Sequence, residues 1–245
     1  MSFVENTSDS IVLFYPSIRG TIQPIRNLLF YLGLEWQEVS SRNSQEAEGE
    51  FNSGFPRLTQ GDLELTEITS IFRHLCRITG RSDLLGLTPQ SRATINEFMF
   101  KFPEIRKKLM KAISDSAVSI WSQKGTVEEI KLGVVKKILE SECKMIKNFL
   151  TMYMKNRSWV MGYLTIADFF FYEICFYLVN FLGSVLKNHA IYRNIVAFKK
   201  MFESQDFFIS NQGSILKMKI FPPFRNKSTL QVMQNIWEGE KEIIV

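Results

Sequence analysis

The chain has 245 residues, of which 45% are hydrophobic and 13% aromatic, with 21 Phe, and it carries a net charge of +5. That composition builds a sizeable core and excludes a disordered chain. Basic residues gather at Lys107, Lys108 and Lys111 and again from Lys131 to Lys147, but no nucleic-acid-binding motif accompanies them. They read as a solvated helix face, and no nucleic-acid partner is expected.

Cys76, Cys143 and Cys175 are odd in number, far apart and form no CxxC pair, and only His74 and His189 could join them. This pattern excludes a disulfide framework and gives no support to a zinc site; reduced thiols in a cytoplasmic protein are expected, with no metal. The first ten residues, MSFVENTSDS, have neither a basic nor an apolar run, so they are not read as a signal peptide.

Ile11 to Phe14 is a short apolar run bounded by turn residues, which predicts a buried strand, expected in a parallel sheet. Tyr15 follows at its carboxyl end, where ligands of open α/β sheets bind. After Pro16-Ser17 and Arg19-Gly20, the spacing of Ile22, Ile25, Leu28, Leu29 and Leu32 predicts a helix over 21–32 that ends at Gly33. Glu35 to Ser40 reads as an edge strand, and 41–54 as a polar stretch with weak helical character. Arg57–Thr59 and Leu63–Leu65 flank Gln60-Gly61-Asp62 and predict a hairpin. A helix over 67–79 then ends at Gly80, a favoured position for glycine. This order, β-α-β-(α)-β-β-α, is a small α/β domain over 11–80.

From Pro89, a residue suited to a helix's first turn, the periodicity is helical: 89–115, 126–155, 165–186, 191–204 and 205–217. An all-α domain is expected over 89–220, after a linker at Arg81–Thr88, with 221–245 as a tail. Residues 169–186, FFFYEICFYLVNFLGSVL, approach the length of a membrane span. Glu173 and Asn180 interrupt the run and Asp168 precedes it, so it reads as the central helix of a bundle, with no membrane partner. Thr165-Ile166-Ala167-Asp168 is a capping-box variant that fixes where this helix starts, a structural role that needs no catalysis. Phe55-Pro56 opens a strand, where proline is tolerated and a cis bond is possible.

Four stretches, in this order, resemble the soluble glutathione transferases, especially the tyrosine-type mu, pi and sigma classes. They are Tyr15-Pro16-Ser17-Ile18-Arg19-Gly20 continuing to Pro24-Ile25-Arg26; Phe55-Pro56-Arg57-Leu58 with Gln60-Gly61-Asp62-Leu63; Leu65-Thr66-Glu67 through Leu75; and Leu164 to Phe169. The resemblance covers about 11–220. It implies a thioredoxin-like N-terminal domain that binds glutathione, an all-α helical-bundle C-terminal domain that lines the pocket for a small apolar electrophile, and a homodimer.

The chemistry implied is attack by the glutathione sulfur on an electrophilic carbon. The thiolate is the nucleophile, and a free thiol titrates near about 8.5. A tyrosine O–H donating to sulfur favours the charged form; Tyr15 takes that role, with Ser17 as the other candidate. The Phe55 backbone and Pro56 would pair with the cysteinyl unit strand to strand. Glu67, with the helix N-terminus at Ile68, would meet the γ-glutamyl end, and Arg42 the glycyl carboxylate. The sequence departs from the family at Ile68, where a serine would grip the carboxylate, and at Phe102, where mu and pi classes place an acid. The aromatic key of the mu and pi dimer falls at Asn52, with Phe51 one residue out of register. Ile68 and Phe102 motivate a second expectation, a non-catalytic binding or carrier protein on the same fold. Isomerase or peroxidase activity with the same co-substrate is a third.

Overall fold

The computed structural model describes residues 10–40, 56–122, 126–135, 158–188 and 192–217. They fall into two compact units: one runs to Pro89 and takes in Asp206–Lys217, the other holds Gln90–Gln205.

The first unit is built on a four-stranded sheet of order β2-β1-β3-β4: β1 (Ile11–Phe14), β2 (Trp36–Val39), β3 (Arg57–Gln60) and β4 (Leu63–Leu65). The apolar run Ile11–Phe14 is a central strand as its composition requires, with Ile11 and Leu13 buried. The sheet is mixed rather than parallel: β1 runs parallel to β2 but antiparallel to β3. The β1–β2 connection is long enough to hold a crossover helix, α1 (Gln23–Leu32), whereas β3 and β4 are joined by the tight Gly61-Asp62 turn. Gly61 takes φ 56°, a conformation that favours glycine.

α1 starts two residues later than its apolar spacing predicts. Pro24 lies in its first turn, and Gly33, at φ 64°, closes it. The helix is buried around much more than its apolar stripe, since Gln23, Arg26 and Asn27 are buried as well. α2 (Ile68–Ile78) packs on α1 with Ile71, Phe72, Leu75 and Cys76 buried, and His74 Nε2 lies 2.7 Å from Gln60 Oε1 of β3. The linker contains a 3-10 turn, Ser82–Leu85. Its Arg81 forks onto Asp83 and reaches the Tyr31 hydroxyl of α1 at 2.9 Å.

The second unit contains α3 (Pro89–Ser122), α4 (Val127–Val135), α5 (Ile166–Leu186) and α6 (Tyr192–Glu203). α5 is long and apolar enough to cross a membrane, yet 83% of its most apolar stretch is buried within the fold. It packs against α4 and α6, and its aromatic side chains interlock with those of α6: Phe171 meets Phe198, and Tyr172 stacks on Phe202 at 4.3 Å. The capping box forms as read. The fully buried Asp168 carboxylate accepts from the N–H of Val160 at 2.8 Å, the N–H of Thr165 at 2.7 Å and the Thr165 hydroxyl at 2.9 Å. Phe102, where the resemblance to the mu and pi classes implies an acid, is 1% exposed and stacks on Phe98 at 5.3 Å. It is a core position, where an acid would be buried without water.

One helix belongs elsewhere than its composition implied. α7 (Asp206–Lys217), read with the all-α half, joins the sheet-bearing unit, where it packs on α1. Phe207 meets the edge of Tyr31, and Arg19 donates to the carbonyl of Ile215 at 3.0 Å. That carbonyl lies in the helix's last turn, where carbonyls lack intrahelical partners and favour a cation.

Candidate functional site

Three features of the first unit gather at one end of the sheet. β1 delivers Tyr15 there, and the Tyr15 N–H continues the parallel ladder onto the Val39 carbonyl at 3.2 Å. Phe14 is opposite Arg57 in the antiparallel β1–β3 pair, so Pro56 stands beside Tyr15. β4 runs back along β3 with Leu65 opposite Leu58, so the start of α2 at Glu67-Ile68 leaves the sheet at that same end. Tyr15, Pro56, Glu67 and Ile68 are thus brought to one edge by topology. Phe55 and Arg42 lie outside the described residues, as do Phe51, Asn52 and the weak helical stretch of 41–54.

The turn after β1 is compact. Ile18 N–H donates to the Pro16 carbonyl at 2.6 Å, and the chain then reverses at Gly20, φ 49°. A Cβ at Gly20 would stand 2.4 Å from the Tyr15 hydroxyl oxygen. Only glycine allows both the backbone conformation and this approach. The Tyr15 hydroxyl turns back onto its own turn: the residue is 8% exposed, the Thr21 N–H donates to its oxygen at 3.0 Å, and the Thr21 hydroxyl stands 3.0 Å away. Ser17, the other candidate hydroxyl, is exposed.

Arg26 holds this turn from α1. Its guanidinium donates to the carbonyls of Ile18 at 2.8 Å and Arg19 at 3.2 Å, and to Gln23 Oε1 at 3.2 Å. Its other edge forks onto the Glu38 carboxylate of β2. The planar fork suits a bidentate carboxylate pair, and Arg26 is 1% exposed, so its charge is neutralised and fully hydrogen-bonded. The guanidinium also lies 5.7 Å from the Tyr15 ring centroid. Arg26, Thr21, Arg19 and Glu38 are the residues sequence reasoning did not single out. Arg19 and Arg26 sit inside the quoted motif, but arginine is usually exposed, and nothing in the local pattern announces that both are buried.

At the start of α2, Glu67 is exposed and extended and its side chain makes no cap hydrogen bond; Ile68 is half-buried. The first-turn N–H groups of this helix therefore have no cap from Glu67, which leaves them able to meet a carboxylate. A cleft of about 670 Å³ is lined by Gln23, Arg26, Phe30, Trp36, Glu38 and Asn211 among others, and none of the four gathered residues lines it. Among the described residues, no three His, Cys, Asp or Glu side chains are grouped to hold a metal.

No protein-family model matches the chain. It is similar in sequence to two class-mu 26 kDa glutathione S-transferases of Fasciola hepatica. It is 31% identical to isozyme 51 over 146 residues, covering 56% of this chain and 61% of the relative. It is 36% identical to isozyme 7 over 92 residues, covering 34% and 41%. The matched stretches thus span less than two thirds of either relative. Among solved structures, it shares its fold with NaGST-2, at a TM-score of 0.64 and 18% identity over 84% of this chain and 96% of that one. It also matches the pi-class glutathione S-transferase of Onchocerca volvulus, at a TM-score of 0.65 and 19% identity over 84% and 93%. The α/β half with its mixed sheet, followed by helices, is the glutathione transferase fold, and by this fold and these sequence relatives the resemblance to the soluble glutathione transferases holds for the chain.

Proposed function

We propose that the chain is a glutathione transferase that joins the glutathione sulfur to small apolar electrophiles, as a cytoplasmic homodimer acting in detoxification. What supports this is one observation: Tyr15, Pro56 and the start of α2, which has no side-chain cap from Glu67, meet at one end of the sheet, in a chain with this fold and these relatives.

The roles follow from the chemistry. The Tyr15 O–H donates to the glutathione sulfur and stabilises the thiolate. The thiolate forms a carbon–sulfur bond, the electrophile releases its leaving group or takes up a proton, and the thiol proton has gone to solvent. Phe55 and Pro56 pair with the cysteinyl backbone as an added strand. The first-turn N–H groups of α2, at Ile68, receive the γ-glutamyl carboxylate, Glu67 its ammonium, and Arg42 the glycyl carboxylate. With isoleucine in place of a hydroxyl at 68, one charge-assisted hydrogen bond is missing, about 1.5–3 kcal/mol of affinity.

The test is calorimetric titration with glutathione and a conjugation assay with an activated aryl chloride, on wild type, Tyr15→Phe and Ile68→Ser. Saturable binding, slowed turnover in Tyr15→Phe and tighter binding in Ile68→Ser are expected. Absence of saturable binding at millimolar glutathione would reject the enzyme. The missing grip at Ile68 then favours the second reading, a non-catalytic carrier on the same fold.

A further inference from the structure

The Tyr15 phenol does not stand alone: Thr21 presents two groups to its oxygen, the backbone N–H and the side-chain hydroxyl, each at 3.0 Å. From this geometry we infer that Thr21 is a positioning residue for thiol activation, its N–H fixing the phenol oxygen and its hydroxyl relaying to that oxygen when the phenol proton turns toward sulfur. The inference rests on the proposed role of Tyr15.

The two contacts do different things. An N–H only donates, so the Thr21 N–H can meet only a lone pair of the phenol oxygen, and it holds that oxygen over Gly20 whatever the phenol proton does. Gly20 makes the seat possible, since any Cβ there would overlap the hydroxyl. The threonine hydroxyl both donates and accepts. Without a thiol it accepts from Tyr15. When the phenol donates to sulfur instead, the threonine hydroxyl rotates and donates to the phenol oxygen, which gains negative character as its proton is shared with the thiolate. Such hydrogen bonds to a group bearing charge are the stronger kind. No bond to carbon or sulfur changes in this step; one proton direction reverses at each oxygen. The charged groups described around the phenol are Arg26, beside its ring, and Glu38, already paired with Arg26. Valine at 21 would keep the shape and the N–H and remove only the hydroxyl.

The experiment follows the ultraviolet thiolate band of bound glutathione and kcat/KM against pH in wild type, Thr21→Val, Thr21→Ser and Tyr15→Phe, with circular dichroism and Tm as folding controls. In Thr21→Val the midpoint of both profiles moves up by about half to one pH unit, the worth of one hydrogen bond. Thr21→Ser restores the wild-type midpoint, and KM for glutathione changes less than about twofold. A folded Thr21→Val with an unshifted or lowered midpoint overturns the role of Thr21, as does a Thr21→Ser that behaves like Thr21→Val. If Tyr15→Phe itself leaves the thiolate band unchanged, what fails is the role of Tyr15, and the role of Thr21 falls with it. The two failures are therefore read from different variants.

Discussion

Asp168→Asn asks whether burial or hydrogen bonding governs the carboxyl that starts α5. Burial pushes the Asp168 carboxyl up to about 7, against the pull of hydrogen bonds from Val160 and Thr165. Between its ordinary value and about 7 the folded protein holds a proton that the unfolded chain has released, so raising the pH favours unfolding. From about pH 5 to about pH 8 this spans roughly two units of the shift, or about 3 kcal/mol at 1.36 kcal/mol per unit. The asparagine variant does not titrate, but its amide NH2 replaces one acceptor and leaves one buried donor unpaired, which costs about 1–3 kcal/mol. Near pH 5 the variant is therefore the less stable protein; near pH 8 the two converge or their order reverses. Urea unfolding across that range, followed through Cm at unchanged m, measures the gap. A gap that stays constant from about pH 5 to about pH 8 would refute the reasoning, since it would mean that the three hydrogen bonds outweigh burial and keep the carboxylate ionised in the folded chain across that range.

Gly20→Ala forces a Cβ to within 2.4 Å of the Tyr15 hydroxyl at φ 49°. The variant should lose about 1–3 kcal/mol, read by denaturation, with conjugation slowed as in Tyr15→Phe. Arg26→Met strands the Glu38 carboxylate and the carbonyls of the Tyr15 turn, and a loss of about 3–5 kcal/mol is expected by the same measurement; Arg26→Lys, which lacks the planar fork, does not restore it. Phe102→Ala opens a cavity between Phe98 and Phe171 and should cost about 3–5 kcal/mol. Burial pushes the Cys76 thiol up to about 12 and the Cys175 thiol well above its ordinary value. In a Cys143→Ser background, a thiol reagent at neutral pH should therefore label neither until urea unfolds the chain.

The parts legible in the amino-acid order are those set by short-range rules. Ile11–Phe14 is a strand because four apolar residues stand between turn signals, and the hairpin follows from Gly61-Asp62. α5 begins where Thr165 and Asp168 can cap each other. The placement of Tyr15 at a strand end could be read for the same reason, since a strand followed by a turn has only one carboxyl end. Pro56 and Glu67 were legible as a hairpin entrance and a helix start, and the register of β3 and β4 then brings them to Tyr15.

The rest depends on partners distant in the chain. The burial of Arg19 and Arg26 is decided by the carbonyl of Ile215, 196 residues away, and by the carboxylate of Glu38 on β2, and no local window contains those groups. α7 has the composition of the all-α half yet sits with the sheet, because its last turn meets Arg19 and its Phe207 meets Tyr31. The direction of the Tyr15 hydroxyl is likewise tertiary. The sequence by itself determined the strand, the turn and the tyrosine; the fold of that turn, set by Gly20, Thr21 and Arg26, decided which way the phenol points, because a hydroxyl turns toward whichever polar groups the packed backbone leaves within about 3 Å.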